Sequence, residues 1–137
     1  MDYEQAFAIS AAGMTLERTR VEVAALNLAN ANTVAGPDGA VYRPLRVVSR
    51  TAFGDTVARG LEAVSVQVEP TQTEPRMVYE PANPMADKRG FVTYAGVDTA
   101  SEMMTLMSAT RSYEANVAAM NTARTLALKT LDIGGAS

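Results

Sequence analysis

The chain has 137 residues, 47% apolar and 20% charged, with a formal charge of -3; that is enough apolar material for the core of one domain and too much for a disordered polar chain. It contains no histidine and no cysteine, which excludes Ser-His-Asp and Cys-His triads, thiolate nucleophiles and His or Cys zinc sites. Charge is spread thinly, with 4 acids against 2 bases in residues 1–34, 8 against 7 in 35–98 and 3 against 3 in 99–137, so no segment offers the basic face that nucleic acid requires.

The N-terminus, "MDYEQAFAISAAGM", carries Asp2 and Glu4 and has neither a basic n-region nor a long apolar h-region. It does not read as a secretory signal. No run approaches the roughly 18 uninterrupted apolar residues of a membrane span. Freedom from cysteine suits a chain that crosses into an oxidising compartment without forming wrong disulfides.

Breakers are confined to the middle. All 6 prolines lie between Pro37 and Pro84, and 6 of the 9 glycines between Gly36 and Gly96. Residues 2 to 33 contain only Gly13, and residues 97 to 133 contain neither glycine nor proline, so each end is predicted to run as one long helix. In the first, Phe7, Met14, Val21 and Leu28 recur every seven residues with Tyr3, Ala11 and Ala25 beside them, the spacing of a coiled-coil seam. Ile9, Leu16 and Val23 form a second row displaced by roughly 200°, on the far side of the helix. A helix that is apolar on two opposite sides needs a cover on both.

That helix ends in "ALNLANANT", which places Asn27, Asn30 and Asn32 where short amides weaken a helix. By the helical wheel Asn27 and Asn30 fall on the second face and Asn32 on the first. Two readings follow. The amides bond across a partner contact and set its register, or they end the helix, since Asn caps well and tolerates the left-handed conformation.

The middle changes period. "AGPDGAV" is a turn in which Pro37 presets φ, Asp38 bonds its own turn and Gly39 accepts positive φ. "VYRPLRVVS", "VSVQVE", "RMVY" and "FVTY" are short β-rich runs between Gly and Pro punctuation. Asp87-Lys88-Arg89-Gly90 reads as a charged hairpin turn in preference to an anion site. The acids Glu69, Glu74, Glu80 and Asp87 stand in Pro-rich connections with no periodicity bringing two onto one face, so no general acid and base pair is expected.

In the last segment Leu106, Tyr113, Met120 and Ala127 form one heptad row, and Thr110, Val117, Arg124 and Leu131 its neighbour, giving a seam with two polar interruptions. Met104, Ala115, Ala119, Ala123 and Leu126 lie opposite and would let a second helix approach closely. Met103, Met104 and Met107 read as adaptable interface packing, not as a copper site, with no cysteine or histidine to join them. The fold class expected is α+β: N- and C-terminal helices (residues 1–34 and 97–137) paired as a coiled coil, with a small β-rich domain (35–96) inserted between them. One intramolecular pair covers one side of each helix, so something outside the chain must cover the rest.

The residues also carry a family resemblance. "ALNLANANT" resembles the N-terminal signature of the bacterial flagellar axial proteins, in which an Asn-Leu/Met-Ala-Asn core precedes a Thr and then a Tyr-Arg, here Tyr42-Arg43 after the insertion "VAGPDGAV". With "YEPANPMADKRGFVTYAGVD" and "SATRSYEANVAAMNTARTLALKTLDIG", it looks like a proximal-rod member of that family over nearly the whole chain. The resemblance implies a non-enzymatic subunit of the flagellar basal-body rod, the drive shaft crossing the periplasm. It also implies export without a cleaved signal through the flagellum-specific type III apparatus. The implied partners are other rod proteins, copies of itself, and components near the MS ring and export gate, with no cofactor and no small-molecule substrate. The assembly residues carried over are Asn27, Leu28, Ala29, Asn30, Asn32, Thr33, Tyr42 and Arg43 at the first motif. At the last they are Ser112, Tyr113, Asn116, Val117, Met120, Asn121, Leu128, Lys129 and Leu131. Another rod or hook component, or a helical adaptor, would use similar two-faced helices; a hook subunit has a much longer middle.

Overall fold

A computed structural model describes residues 3–51 and 64–135 of the chain. The order is α1 (Tyr3–Ala29), β1 (Leu45–Thr51), β2 (Val64–Pro70), β3 (Arg76–Tyr79), β4 (Phe91–Tyr94) and α2 (Thr99–Gly134). The class is α+β, two long helices with a β region between them. The four β-rich runs of the sequence are the four strands. The part of the expected middle unit that spans residues 52–63 lies outside the described residues, as do residues 1, 2, 136 and 137 at the ends of the two terminal units.

The first helix stops at Ala29, short of the boundary near residue 33 that the sequence suggests. Asn30 ends it: its side-chain amide donates to the Leu26 carbonyl at 2.8 Å, and its own N–H is shared between the Leu26 and Asn27 carbonyls at 3.2 Å. A carbonyl of the last turn is thereby satisfied without a further turn of helix. The second helix begins where Asp98 accepts a bond from the Ser101 N–H, and ends where the Gly135 N–H reaches the Leu131 carbonyl at 2.9 Å. Thr110, Thr122, Thr125 and Thr130 keep their hydroxyls satisfied by donating to the carbonyl four residues back.

The two helices run antiparallel side by side, Asn27 meeting Glu102 at one end and Tyr3 meeting Thr130 at the other. Buried and half-buried residues recur at spacings of three and four along the facing sides, with Ser10, Glu17 and Ala24 on α1 and Ala109, Asn116 and Ala123 on α2 forming one row of each. Small and polar side chains let the backbones come close. A Cβ on Gly13 would stand 2.9 Å from the Asn116 amide. Phe7, Met14, Val21 and Leu28 form the adjoining row of α1 and are half-buried, as are Leu106 and Met120 on α2. Ala11, Ala25, Thr110, Arg124 and Leu131, which the heptad reading placed in or beside the seam, are exposed. Of the opposite row, Ala123 is half-buried while Met104, Ala115, Ala119 and Leu126 remain exposed.

The β region is two separate two-stranded antiparallel sheets, β1-β2 and β3-β4. In the first, Leu45 pairs with Pro70 and Thr51 with Val64. Its β1 strand lies against α1, where Val23 is buried, so part of the second apolar row of α1 is covered from inside the chain; Ile9, at the other end of that row, is 65% exposed. In the second sheet Tyr79 pairs with Phe91 and their rings meet edge to face at 5.3 Å. The segment after α1 adds to this sheet: Val34 bridges to Tyr94, the Ala35 N–H donates to the Thr93 carbonyl, and the Ala95 N–H to the Thr33 carbonyl. Val92 and Ala95 become fully buried there. The Pro37 turn forms as its residues suggest, Asp38 accepting from the Ala40 N–H at 3.1 Å and Gly39 at φ 77°.

Gly13 tests the close approach. Alanine is favoured over glycine in a helix by roughly 1 kcal/mol, but Gly13→Ala is expected to gain less than this in melting temperature, because its methyl group must displace the Asn116 amide. In an Asn116→Ala background the same change should bring the full gain. Thermal unfolding of the two single variants and the double variant checks this; additive effects would show that the helices do not meet there.

Candidate functional site

The best-defined constellation in the molecule is built on Asn27, whose side chain is fully buried. Its amide donates to the Leu45 carbonyl at 2.8 Å and to the Glu102 Oε1 at 3.1 Å. Its oxygen accepts from the Tyr42 hydroxyl at 2.8 Å and from the Leu45 N–H at 2.9 Å. Two donors and two acceptor lone pairs are the whole capacity of an asparagine side chain, and all are used. One amide thus ties the end of α1, the chain entering β1 and the first turn of α2.

The surroundings reinforce the junction. Pro44, in the strand approach, is buried, and its carbonyl accepts both the N–H and the hydroxyl of Thr71, at 2.7 and 3.0 Å. Arg43 donates to the Thr71 carbonyl at 3.2 Å. Burial pushes the Glu102 carboxyl above the usual glutamate range, with the charge of Asp98 adding to the effect and the Asn27 bond opposing it. Burial, and then the charge of Glu102, likewise raises the Tyr42 phenol. Beside this junction Glu17 is buried against α2 and holds Arg20 through two bonds at 3.1 and 3.3 Å.

The residues singled out from the sequence therefore divide. Asn27, Tyr42 and Arg43 belong to the intrachain junction, which corrects the reading of Asn27 as an amide presented to a partner; it has no bonding capacity left to offer. Asn30 is occupied by its own helix end, and the Thr33 hydroxyl bonds the Asn30 carbonyl. Leu28 is half-buried, while Ala29 and Asn32 are exposed. On α2, Asn116 packs against Gly13 and donates to the Ser112 carbonyl at 3.0 Å. Ser112, Val117 and Met120 are half-buried, and Tyr113, Asn121, Leu128, Lys129 and Leu131 are exposed. Tyr113 borders an open groove with Arg18, Val21, Glu22 and Thr110.

Sequence reasoning missed Glu17 and Glu102. Glu102 has a legible signal, four residues after the capping Asp98 in "DTASE", but its contact with Asn27 spans 75 residues.

Three of the four acids weighed as catalytic are engaged structurally, and the fourth, Glu74, is exposed. Glu69 pairs with Arg46 and Arg50 at 3.4 and 3.2 Å. Glu80 accepts from the Asn83 amide and the Tyr94 hydroxyl, and that bond raises the Tyr94 phenol. Asp87 accepts the backbone N–H groups of Phe91 and Arg89, which hold its carboxyl below the usual range, and Gly90 closes the turn at φ 86°. The charged hairpin is thus a turn whose carboxylate occupies the donors an anion would use. Met103, Met104 and Met107 are exposed along α2. Among the described residues no helix is long and apolar enough to cross a membrane.

A stalk of two closely packed helices, rooted in a buried polar junction, bearing two small hairpins and leaving its large apolar side chains outside, is the architecture of an assembly subunit. The family model described as "Flagellar basal body rod FlgEFG protein C-terminal" matches residues 88–133. The chain is 44% identical to the flagellar basal-body rod protein FlgC of Escherichia coli O6:H1 over 93% of its own length and 95% of that protein's. It is 42% identical to FlgC of Salmonella typhimurium over the same shares. With FlgC of Bacillus subtilis the identity is 33% over 92% and 94%. The chain belongs to the FlgC family of flagellar basal-body rod proteins.

The two asparagines should respond differently to substitution. Asn27→Ala leaves the Leu45 N–H and carbonyl and the Tyr42 hydroxyl buried without their partner, and is expected to cost roughly 2–3 kcal/mol. Asn30→Ala removes a helix-end bond, at a cost of about 0.5–1 kcal/mol. Denaturant unfolding measures both, and amide exchange at Leu45 should accelerate only in the first variant.

Proposed function

We propose that this chain is a structural, non-catalytic subunit of the flagellar rod, exported without a cleaved leader through the flagellum-specific type III apparatus and assembled in the periplasmic space. It joins other rod proteins and copies of itself, and meets components near the MS ring and export gate. Residues 1–34 and 97–137 form its inner unit, paired in the assembled rod as a coiled coil, and residues 35–96 its outer unit.

The observation that carries this reading is the side-chain distribution on the helix pair. Ile9, Met104, Leu131 and Ile133 are 65%, 72%, 71% and 77% exposed, and the row of Phe7, Met14, Val21 and Leu28 is covered on one side only. Apolar surface of this extent on an ordered helix marks an interaction face. Faces on different sides of one stalk suit heterologous contacts, which build open tubes instead of closed dimers. Leu128, Lys129 and Leu131, at the far end of α2, serve as contacts between subunits in this proposal, and Tyr113, Val117 and Met120 line the flank that a neighbouring helix covers. Asn121 and Asn32, both exposed, are the amides still free to set register with a neighbour.

Replacing Leu128 and Leu131 together by aspartate tests the proposal. Both side chains are exposed, so the isolated variant should melt within about 0.5 kcal/mol of the parent and be exported at parental levels, while completed rods in electron micrographs and swimming are lost. Normal rods and swimming would overturn the assembly role of this face. An adaptor using the same face would instead form a defined small oligomer in solution, dissolved by the same change.

A further inference from the structure

Glu102 is a half-buried carboxyl in a groove lined by Arg20, Val23, Ala24, Leu45 and Thr105. The two cations bordering this groove are committed elsewhere. Arg20 is bonded to Glu17 at 3.1 Å and Arg46 to Glu69 at 3.4 Å. Among the described residues Glu102 forms no ion pair, and its carboxylate accepts from the Asn27 amide, a neutral donor at 3.1 Å. From its own helix it faces Asp98, an anion that caps the first turn. From the strand approach it faces Tyr42, a neutral phenol at physiological pH. The start of a helix favours an anion, but Asp98 already occupies that position.

We propose that Glu102 is a proton-responsive latch: the neutral carboxyl accepts from Asn27 and closes the junction of α1, the β1 approach and α2, and its ionisation loosens that junction.

The carboxyl accepts the Asn27 hydrogen bond in either state, so what changes on ionisation is the burial of an unpaired charge beside Asp98. The direction follows from linkage. Folding raises the Glu102 pKa above its ordinary 4.5, so the carboxyl contributes stability that is fully present below that value and is lost as pH rises through the folded value. Because Asn27 also holds Tyr42 and the Leu45 backbone, a shift of the ionised Glu102 toward solvent is felt on all three segments.

Glu102→Gln keeps an acceptor for Asn27 and cannot ionise. Melting temperatures of the full chain and of this variant should agree near pH 4 and diverge as pH rises. The variant should be the more stable at pH 7.5. Asp98→Asn should shrink the divergence, because it removes the neighbouring charge that helps raise the Glu102 carboxyl and keeps the cap. Glu102→Ala, which deletes the acceptor, should be less stable than Glu102→Gln at every pH. A carbon-detected NMR titration of the Glu102 carboxyl in the parent chain should give a midpoint above the ordinary glutamate value. A midpoint at or below that value, as an open junction or a well-solvated carboxylate would give, overturns the latch. So does a melting difference that is constant between pH 4 and pH 8.

Discussion

A single buried amide organises this molecule. A side chain with no solvent contact must find every hydrogen bond inside the protein, and Asn27 finds all four on two segments far from it in sequence. Burying it therefore sets the direction in which the chain leaves α1 and the depth at which Leu45 enters β1. It also fixes where α2 begins relative to α1. A leucine of similar size would fill the same space, but it would leave the Leu45 backbone groups and the Tyr42 hydroxyl without partners, and those losses outweigh the apolar gain at a site this dry.

With one end fixed by Asn27 and Glu102, the antiparallel pair extends from the junction as a stalk. One row of its inner surface is small and polar, which permits close backbone approach, and the adjoining apolar row is half-buried. Further apolar side chains, among them Ile9, Met104 and Leu131, stand exposed on the stalk, where further protein can cover them. Long helices gain most of their stability from packing, so the far end, where Tyr3 and Thr130 meet through an exposed bond at 3.2 Å, depends most on neighbours. The family to which the chain belongs is one of flagellar basal-body rod proteins, and a stalk finished by its neighbours suits the proposed assembly role.

The hairpins complete the account of the charged residues. Glu69, Glu80 and Asp87 each hold a strand pair or turn in shape, through Arg46 and Arg50, through Tyr94 and Asn83, and through the backbone of Phe91. Side chains committed in this way keep the β region rigid without needing a large core, which it lacks: among its described residues Val92 and Ala95 are the fully buried apolar side chains. The segment after α1 joins β4 as a short extra edge, so the second hairpin is anchored to the helix it follows.

Much of this was legible in the residues themselves. The confinement of Pro and Gly to the middle determined two long helices around four short strands, and the Pro37-Asp38-Gly39 turn was readable from the conformations those residues favour, because such preferences act over a few neighbours. The ordered motifs at both ends pointed to the flagellar axial family. The tertiary structure alone decided which helix faces meet. Heptad spacing identifies residues that share a face but not what that face touches, and only the packed pair shows Glu17 and Ala24 buried beside the half-buried row of Phe7, Met14, Val21 and Leu28. The role of Asn27 was equally hidden, because its partners lie 15, 18 and 75 residues away. An amide's local preference gives it away as a helix-end residue, whereas its bonding across the fold exists only once three distant segments have been brought together.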